Sequence, residues 1–358
     1  MRIAIKRFFN SDFYITLGVS ALFIYMIYGK LASGWDEFSH WEDIVKTMTI
    51  LDAYGTDPRA NSMFASYPPG MALFQYFGQK INIAVTGSGD FTEWLCNYFY
   101  LLFSFSLFLP VICETKRHRN AFVTVVGILG ALLLPMIFFK NYYYETYIDP
   151  FVGVASGCGF ALVMLSGRKG KFYTAYVSLL CVTLVLSKDV GLLMAVFVYI
   201  AYAADMMIIK AGSAGGLRSV FRKLYWIRMI FPVVLLAGAK LIWKLKLDIS
   251  GVNISFSNPV DYFHYIKLFF LGGEESTRTV IVNNYKSYFF THSIGPLGFS
   301  CFMYAVFFIL VAIILFFLMK ETDIRKKISI GAVLGSSMIC YILYSLELGA
   351  LYSYRFSE

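Results

Sequence analysis

The chain has 358 residues, of which 58% are hydrophobic and only 15% charged, and its mean hydropathy is +0.65. Soluble domains carry about 45–50% apolar and about 25% charged residues, so soluble-enzyme, disordered and disulfide-scaffold classes are excluded. The net charge of +9 would suit a nucleic-acid partner, but its distribution along the chain points to a membrane.

Segments 13–29, 94–113, 121–139 and 150–167 each run 17 to 20 residues without a charge. About 20 apolar residues of helix cross a hydrocarbon core about 30 Å thick. Nine spans are expected, at 12–29, 94–113, 121–139, 150–166, 172–187, 190–209, 225–243, 299–319 and 328–346. The class is all-α integral membrane, a single transmembrane domain over 1–358. A transmembrane β-barrel is excluded because the apolar runs are continuous rather than alternating. The first span follows Arg2, Lys6 and Arg7 as in a signal peptide. Its uncharged stretch is longer than the usual h-region of about 7–15 residues, so it reads as uncleaved.

With the N-terminus in the cytoplasm, the inner segments 1–12, 114–120, 167–171, 205–228 and 320–327 hold 18 of the 31 Lys and Arg but 5 of the 22 acids. This asymmetry is the positive-inside rule and sets the orientation. Clusters such as Lys116-Arg117-His118-Arg119 are topology anchors, and no nucleic-acid motif accompanies them. The six cysteines lie in or at the ends of apolar spans, without metal-ligand spacing, and read as packing residues.

The two long outer segments, 30–93 and 244–298, alternate aromatic and polar residues, as in Phe38-Ser39-His40-Trp41 and Tyr285-Lys286-Ser287-Tyr288. Such stretches suit interfacial helices. At this length they form folded catalytic or binding layers rather than linkers.

The first layer opens with Gly34-Trp35-Asp36-Glu37-Phe38-Ser39-His40-Trp41. A carboxylate just above a bilayer can act as a general base, its pKa tuned by partial burial; Asp36 could equally be a helix N-cap. Ser66-Tyr67-Pro68-Pro69-Gly70 then stops one helix and starts another. Glu145 and Asp149 are four apart, so one helical turn would put both on one face. They could position an acceptor, ligate a metal with other groups, or be two solvated acids in an aromatic belt.

Lys188 and Asp189 stand between two short apolar runs. Charge at that depth costs about 2.5–3.5 kcal/mol on insertion scales and marks a functional candidate. A lysine facing the outer leaflet suits a lipid phosphate, while a Lys188–Asp189 pair would be a structural hairpin tip. Arg278, Lys286, His292 and Arg355 could also help hold an anionic lipid head. Gly295-Pro296-Leu297-Gly298 divides the long uncharged stretch 287–319 into an interfacial helix and the eighth span.

In combination and order, a first span, Trp35-Asp36-Glu37, His40-Trp41, Tyr67-Pro68-Pro69-Gly70 and a Ser187-Lys188-Asp189-x-Gly191 hairpin tip resemble polytopic GT-C glycosyltransferases over residues 1–210. The nearest are the protein mannosyltransferase-like and lipid A aminoarabinose transferase-like bacterial enzymes. The resemblance implies sugar transfer on the extracytoplasmic face of a bacterial plasma membrane. The donor would be a polyprenyl-phosphate-linked sugar and the acceptor a hydroxyl of a glycan, lipid or protein. It implies Asp36 as base with Glu37 as neighbour or alternate, and Lys188 on the donor phosphate with Arg355 and Arg278 as further candidates. His40, Tyr67, Glu145 and Asp149 would position acceptor or substrate. No cofactor is required; a divalent metal remains an option at Glu145 and Asp149. Two other readings are a polysaccharide polymerase or ligase working through arginines, and a lipid-linked glycan transporter or flippase. The second predicts broken helices and repeat symmetry, and neither is visible in the sequence.

Overall fold

The computed structural model describes residues 11–60, 62, 64–116, 121–165, 171–213, 223–252, 262–294 and 297–318, with isolated positions beyond 330. These residues are predominantly helical. Helix α1 covers Ser11–Ile27. A π-helical turn, Glu37–Trp41, leads directly into α2, Glu42–Leu51. Then come α3 (Gly70–Thr86), α4 (Glu93–Lys116), α5 (Ala121–Phe138), α6 (Ile148–Leu165), α7 (Lys171–Ser187), α8 (Val190–Ser213) and α9 (Lys223–Ser250). Next are α10 (Tyr262–Leu271), α11 (Glu275–Lys286), a second π-helical turn (Ser287–Thr291), strands β1 (Ser293–Ile294) and β2 (Phe299–Ser300), and α12 (Cys301–Leu318).

Helices therefore lie over eight of the nine expected apolar segments; the ninth, 328–346, falls outside the described residues apart from isolated positions. Among the described residues, Glu93–Cys113, Val190–Met207 and Trp226–Ser250 are long and apolar enough to cross a membrane. Ser11–Ile27, Thr124–Ile137, Ile148–Val163 and Phe172–Ser187 are shorter apolar helices. In lipid every backbone polar group must be satisfied within its own segment, which a helix does. Large apolar side chains cover the outward faces: Leu17 and Tyr25 on α1, Phe122, Val126, Leu129 and Leu133 on α5, Ile230, Val234 and Ile242 on α9. Continuous exposed apolar faces are rare on soluble monomers and are compatible with a bilayer.

The chain divides into two compact units. The first comprises Met1–Tyr199 and Lys223–Ser255. Helix α4 is its hub, touching α1, α3, α5 and α6, while α7 packs most extensively on α9. Phe151 of α6 lies against Tyr100 and Phe103 of α4, and Phe23 of α1 meets Phe105 edge-on. Small residues let helices close in: a β-carbon on Gly78 would strike the ring of Phe99 at 2.1 Å.

The second unit comprises Ile200–Arg222 and Phe256–Glu358. Its π-helical turn and β2 pack on α12. The strands pair antiparallel, Ser293 with Ser300 and Ile294 with Phe299. Stacked Tyr285 and Phe289 run from α11 into the turn, with Phe269 of α10 edge-on to Tyr285. Helix α12, over the eighth expected span, thus begins directly after this strand pair, near where the Gly-Pro-Leu-Gly sequence placed the break.

Candidate functional site

The first unit gathers most of the singled-out residues at one end of the helices. Two glycines set this up. A β-carbon on Gly70 would lie 2.7 Å from the Leu186 carbonyl oxygen, and one on Gly191 would lie 1.9 Å from that of Leu184. Only glycine lets the Pro68-Pro69 turn and the start of α8 press on the end of α7 from two sides. This close approach joins the first long segment to the Lys188-Asp189 tip. The cleft formed there is lined by His40, Trp41, Tyr67, Pro69, Gln75 and Thr146, with Ser187 at one side.

His40 is 5% exposed and sits edge-on to Tyr67, Phe64 and Trp41, with ring centroids 4.1 to 5.3 Å apart. Its Nδ1 is buried without a hydrogen-bond partner among the described residues. Burial, and then the charge of Lys188, pull its pKa down to about 3, so the imidazole is neutral at physiological pH.

Asp36 and Glu37, adjacent in sequence, have different surroundings. Glu37 is 0% exposed. Its Oε2 accepts the Ser33 and Gly34 amides at 2.7 and 2.8 Å, and its Oε1 accepts the Thr146 amide at 2.9 Å. Lys30 Nζ stands 3.8 Å from Oε1. A carboxylate so committed ties the loop after α1 to the segment before α6. The expectation that Glu37 serves as an alternate base meets this obstacle: every approach to its oxygens is occupied by protein. Asp36 is half-buried and its side chain makes no capping hydrogen bond, so the N-cap reading does not hold. Its carboxyl is raised above the usual range, chiefly by burial, with Lys188 opposing and Asp149 adding to the shift.

Lys188 Nζ donates to Asp149 Oδ1 at 2.7 Å, and Asp189 accepts from Lys240 Nζ of α9, also at 2.7 Å. The tip is therefore not closed by a Lys188–Asp189 pair. Each residue reaches a different helix. Asp36 feels the charges of both Lys188 and Asp149, and Lys188 also acts on His40. The shared helical face expected for Glu145 and Asp149 is corrected. Residues 139–147 are turn and irregular loop and α6 starts only at Ile148, so Glu145 instead accepts from Asn141 Nδ2 at 2.6 Å. Among the described residues no cluster of three His, Cys, Asp or Glu could hold a metal. Arg278 belongs to the second unit, where it pairs with Glu275 at 3.8 Å, and Arg355 lies outside the described residues.

Three features escaped the sequence reading. Helix α9 runs to Ser250 rather than 243; within it Lys240 reaches Asp189 and the Trp243 indole N–H reaches the Ser66 carbonyl at 3.2 Å. Glu42, 3% exposed, is a third carboxyl in the layer. Thr146 bridges Glu37 and Glu42 through its hydroxyl, at 3.4 and 3.5 Å. Lys240 stands out as a charge within the expected span 225–243; nothing local marks Glu42.

Compared with protein-family models, curated proteins and solved structures, the chain matches none of them.

Proposed function

We propose that the protein is a multi-pass membrane glycosyltransferase of the GT-C kind. In this reading nine spans lie in a bacterial plasma membrane with the N-terminus inside. The enzyme moves a sugar from a polyprenyl-phosphate carrier to an acceptor hydroxyl on the extracytoplasmic face. The observation that carries the reading is that the Lys188 charge acts on both Asp36 and His40, and His40 lines a cleft with Trp41 and Tyr67. Lys188 is more than 140 residues from both in sequence.

The chemistry follows from their placement. Asp36 takes the proton of the acceptor hydroxyl as its oxygen bonds to the anomeric carbon. The carbon–phosphate oxygen bond breaks and its electron pair leaves with the phosphate. A single displacement inverts the anomeric centre. A raised carboxyl pKa brings the base closer to working pH, and a positioned base contributes about 10²–10⁴ in rate. Lys188 stabilises charge gathering on the departing phosphate. Asp149 keeps the ammonium aimed before the donor arrives, and because both partners are partly solvent-exposed the exchange of carboxylate for phosphate costs little. Neutral His40 and the flanking rings offer a hydrogen bond and stacking faces to a sugar hydroxyl and ring. The phosphate's prenyl tail would run along apolar helix faces.

The test is transfer of labelled sugar from polyprenyl phosphate in vesicles. Asp36→Asn should lower the rate by about 10²–10⁴ without changing the melting temperature. Transfer at the wild-type rate by Asp36→Asn would overturn the base assignment. Lys188→Ala should raise KM for the donor more than for the acceptor.

A further inference from the structure

Glu42 has no part in the chemistry above, yet it is buried next to a carboxylate that is already fully engaged. Its Oε1 accepts from Asn97 Nδ2 of α4 at 3.3 Å and from the Thr146 hydroxyl at 3.5 Å. Two buried acceptor atoms then remain without partners: Glu42 Oε2 and Asn97 Oδ1. They belong to the same two side chains that already share one hydrogen bond. A carboxylate and an amide oxygen repel, whereas a carboxylic acid and a primary amide close a ring of two hydrogen bonds, N–H to C=O and O–H to C=O. One proton on Oε2 satisfies both atoms. Leaving them buried and unpaired would cost each its desolvation.

We infer that Glu42 is a neutral carboxylic acid whose proton, shared with Asn97 Oδ1, latches the start of α2 onto α4 and so holds the Glu37–Trp41 turn in place. Burial is the main reason the proton stays. The neighbouring Glu37 adds to it, Lys30 opposes it, Glu93 of α4 adds again, and the Thr146 hydroxyl opposes; the acid titrates at about 8. The Cys96 thiol of α4 also faces this group. The proton does not depend on sugar transfer. Only its consequence for Asp36, carried next to the latched turn, rests on the reading above, which makes Glu42 a positioning residue there.

The sign is fixed by linkage. The folded protein holds this proton up to about 8, the unfolded chain only to about 4.3. Stability therefore falls as pH rises through that interval and levels off above it. Below about 6.5 His40 acts in the opposite sense, and above about 8 the thiols of the unfolded chain begin to ionise, so the clean interval runs from about 6.5 to about 8.

The experiment compares thermal melting of the full chain in detergent from pH 6.5 to 8 with infrared difference spectra of wild type against Glu42→Gln. Glutamine keeps the ring through its own N–H and cannot titrate. The wild-type folded-to-unfolded ratio should fall by roughly tenfold or more across the interval, while E42Q stays level. The wild type should also show a protonated-carboxyl stretch at pH 6.5 that is absent at 9.5 and absent from E42Q. A missing stretch at pH 6.5, or parallel pH profiles for the two proteins, would overturn the latch. Neither readout uses turnover, so the latch and the transferase reading can fail separately.

Discussion

Glu37→Gln tests how much of the site rests on one buried carboxylate. The two oxygens of Glu37 receive three main-chain amides, from Ser33, Gly34 and Thr146. Glutamine offers one oxygen and one NH₂. In the better orientation the oxygen faces Ser33 and Gly34, and the NH₂ points at the Thr146 amide, donor against donor. A hydrogen bond to a charged group contributes about 1.5–3 kcal/mol, and a neutral one about 1 kcal/mol. Losing the Thr146 bond and weakening the other two comes to about 2.5–7 kcal/mol. Glu93→Gln gives an internal scale, because Glu93 Oε2 accepts a single amide, that of Ala32 at 2.9 Å. It should cost about a third as much. Unfolding followed by tryptophan fluorescence in mild detergent reads both variants. A Glu37→Gln protein within about 0.5 kcal/mol of wild type would refute the view that this carboxylate ties the loop after α1 to the segment before α6.

Other substitutions probe different parts of the arrangement. Gly191→Ala should prevent α8 from starting against α7, costing about 3 kcal/mol or failing to fold, whereas Gly153→Ala, with open space around it, should be tolerated; melting temperature and yield separate the two. Trp243→Phe removes the indole N–H that donates to the Ser66 carbonyl and should cost about 1–2 kcal/mol in detergent melts. His40 is held neutral down to about 3 against an ordinary value near 6.5, so its contribution is lost as pH falls below 6.5. In the Glu42→Gln protein, acidification from 6.5 to 5 should lower the melting temperature, and His40→Phe in that background should abolish the drop.

The helices were legible because charge-free runs of near-span length leave a chain few choices, and α1, α4, α5, α6 and α7 start and stop within a few residues of the expected bounds. The far end of α9 was not. Lys244 and Lys246 read as the start of the outer segment, but the helix continues through them to Ser250. Adjacent carboxylates are the harder case. Composition cannot tell Asp36 from Glu37, since what separates them is a π-helical turn and the amide of Thr146, over a hundred residues away. The Glu145 and Asp149 pair failed for a local reason: spacing implies a shared face only inside a helix, and α6 begins between them.

The dipeptide at the α7–α8 tip sends its ammonium to α6 and its carboxylate to α9. Exchanging the order of Lys188 and Asp189 would preserve composition and net charge, yet set acid against acid at position 149 and base against base at position 240. Only a simultaneous reversal at both distant partners would restore attraction. The polarity of two neighbouring letters thus constrains drift at two remote positions, a four-way dependence that covariation among divergent sequences would expose.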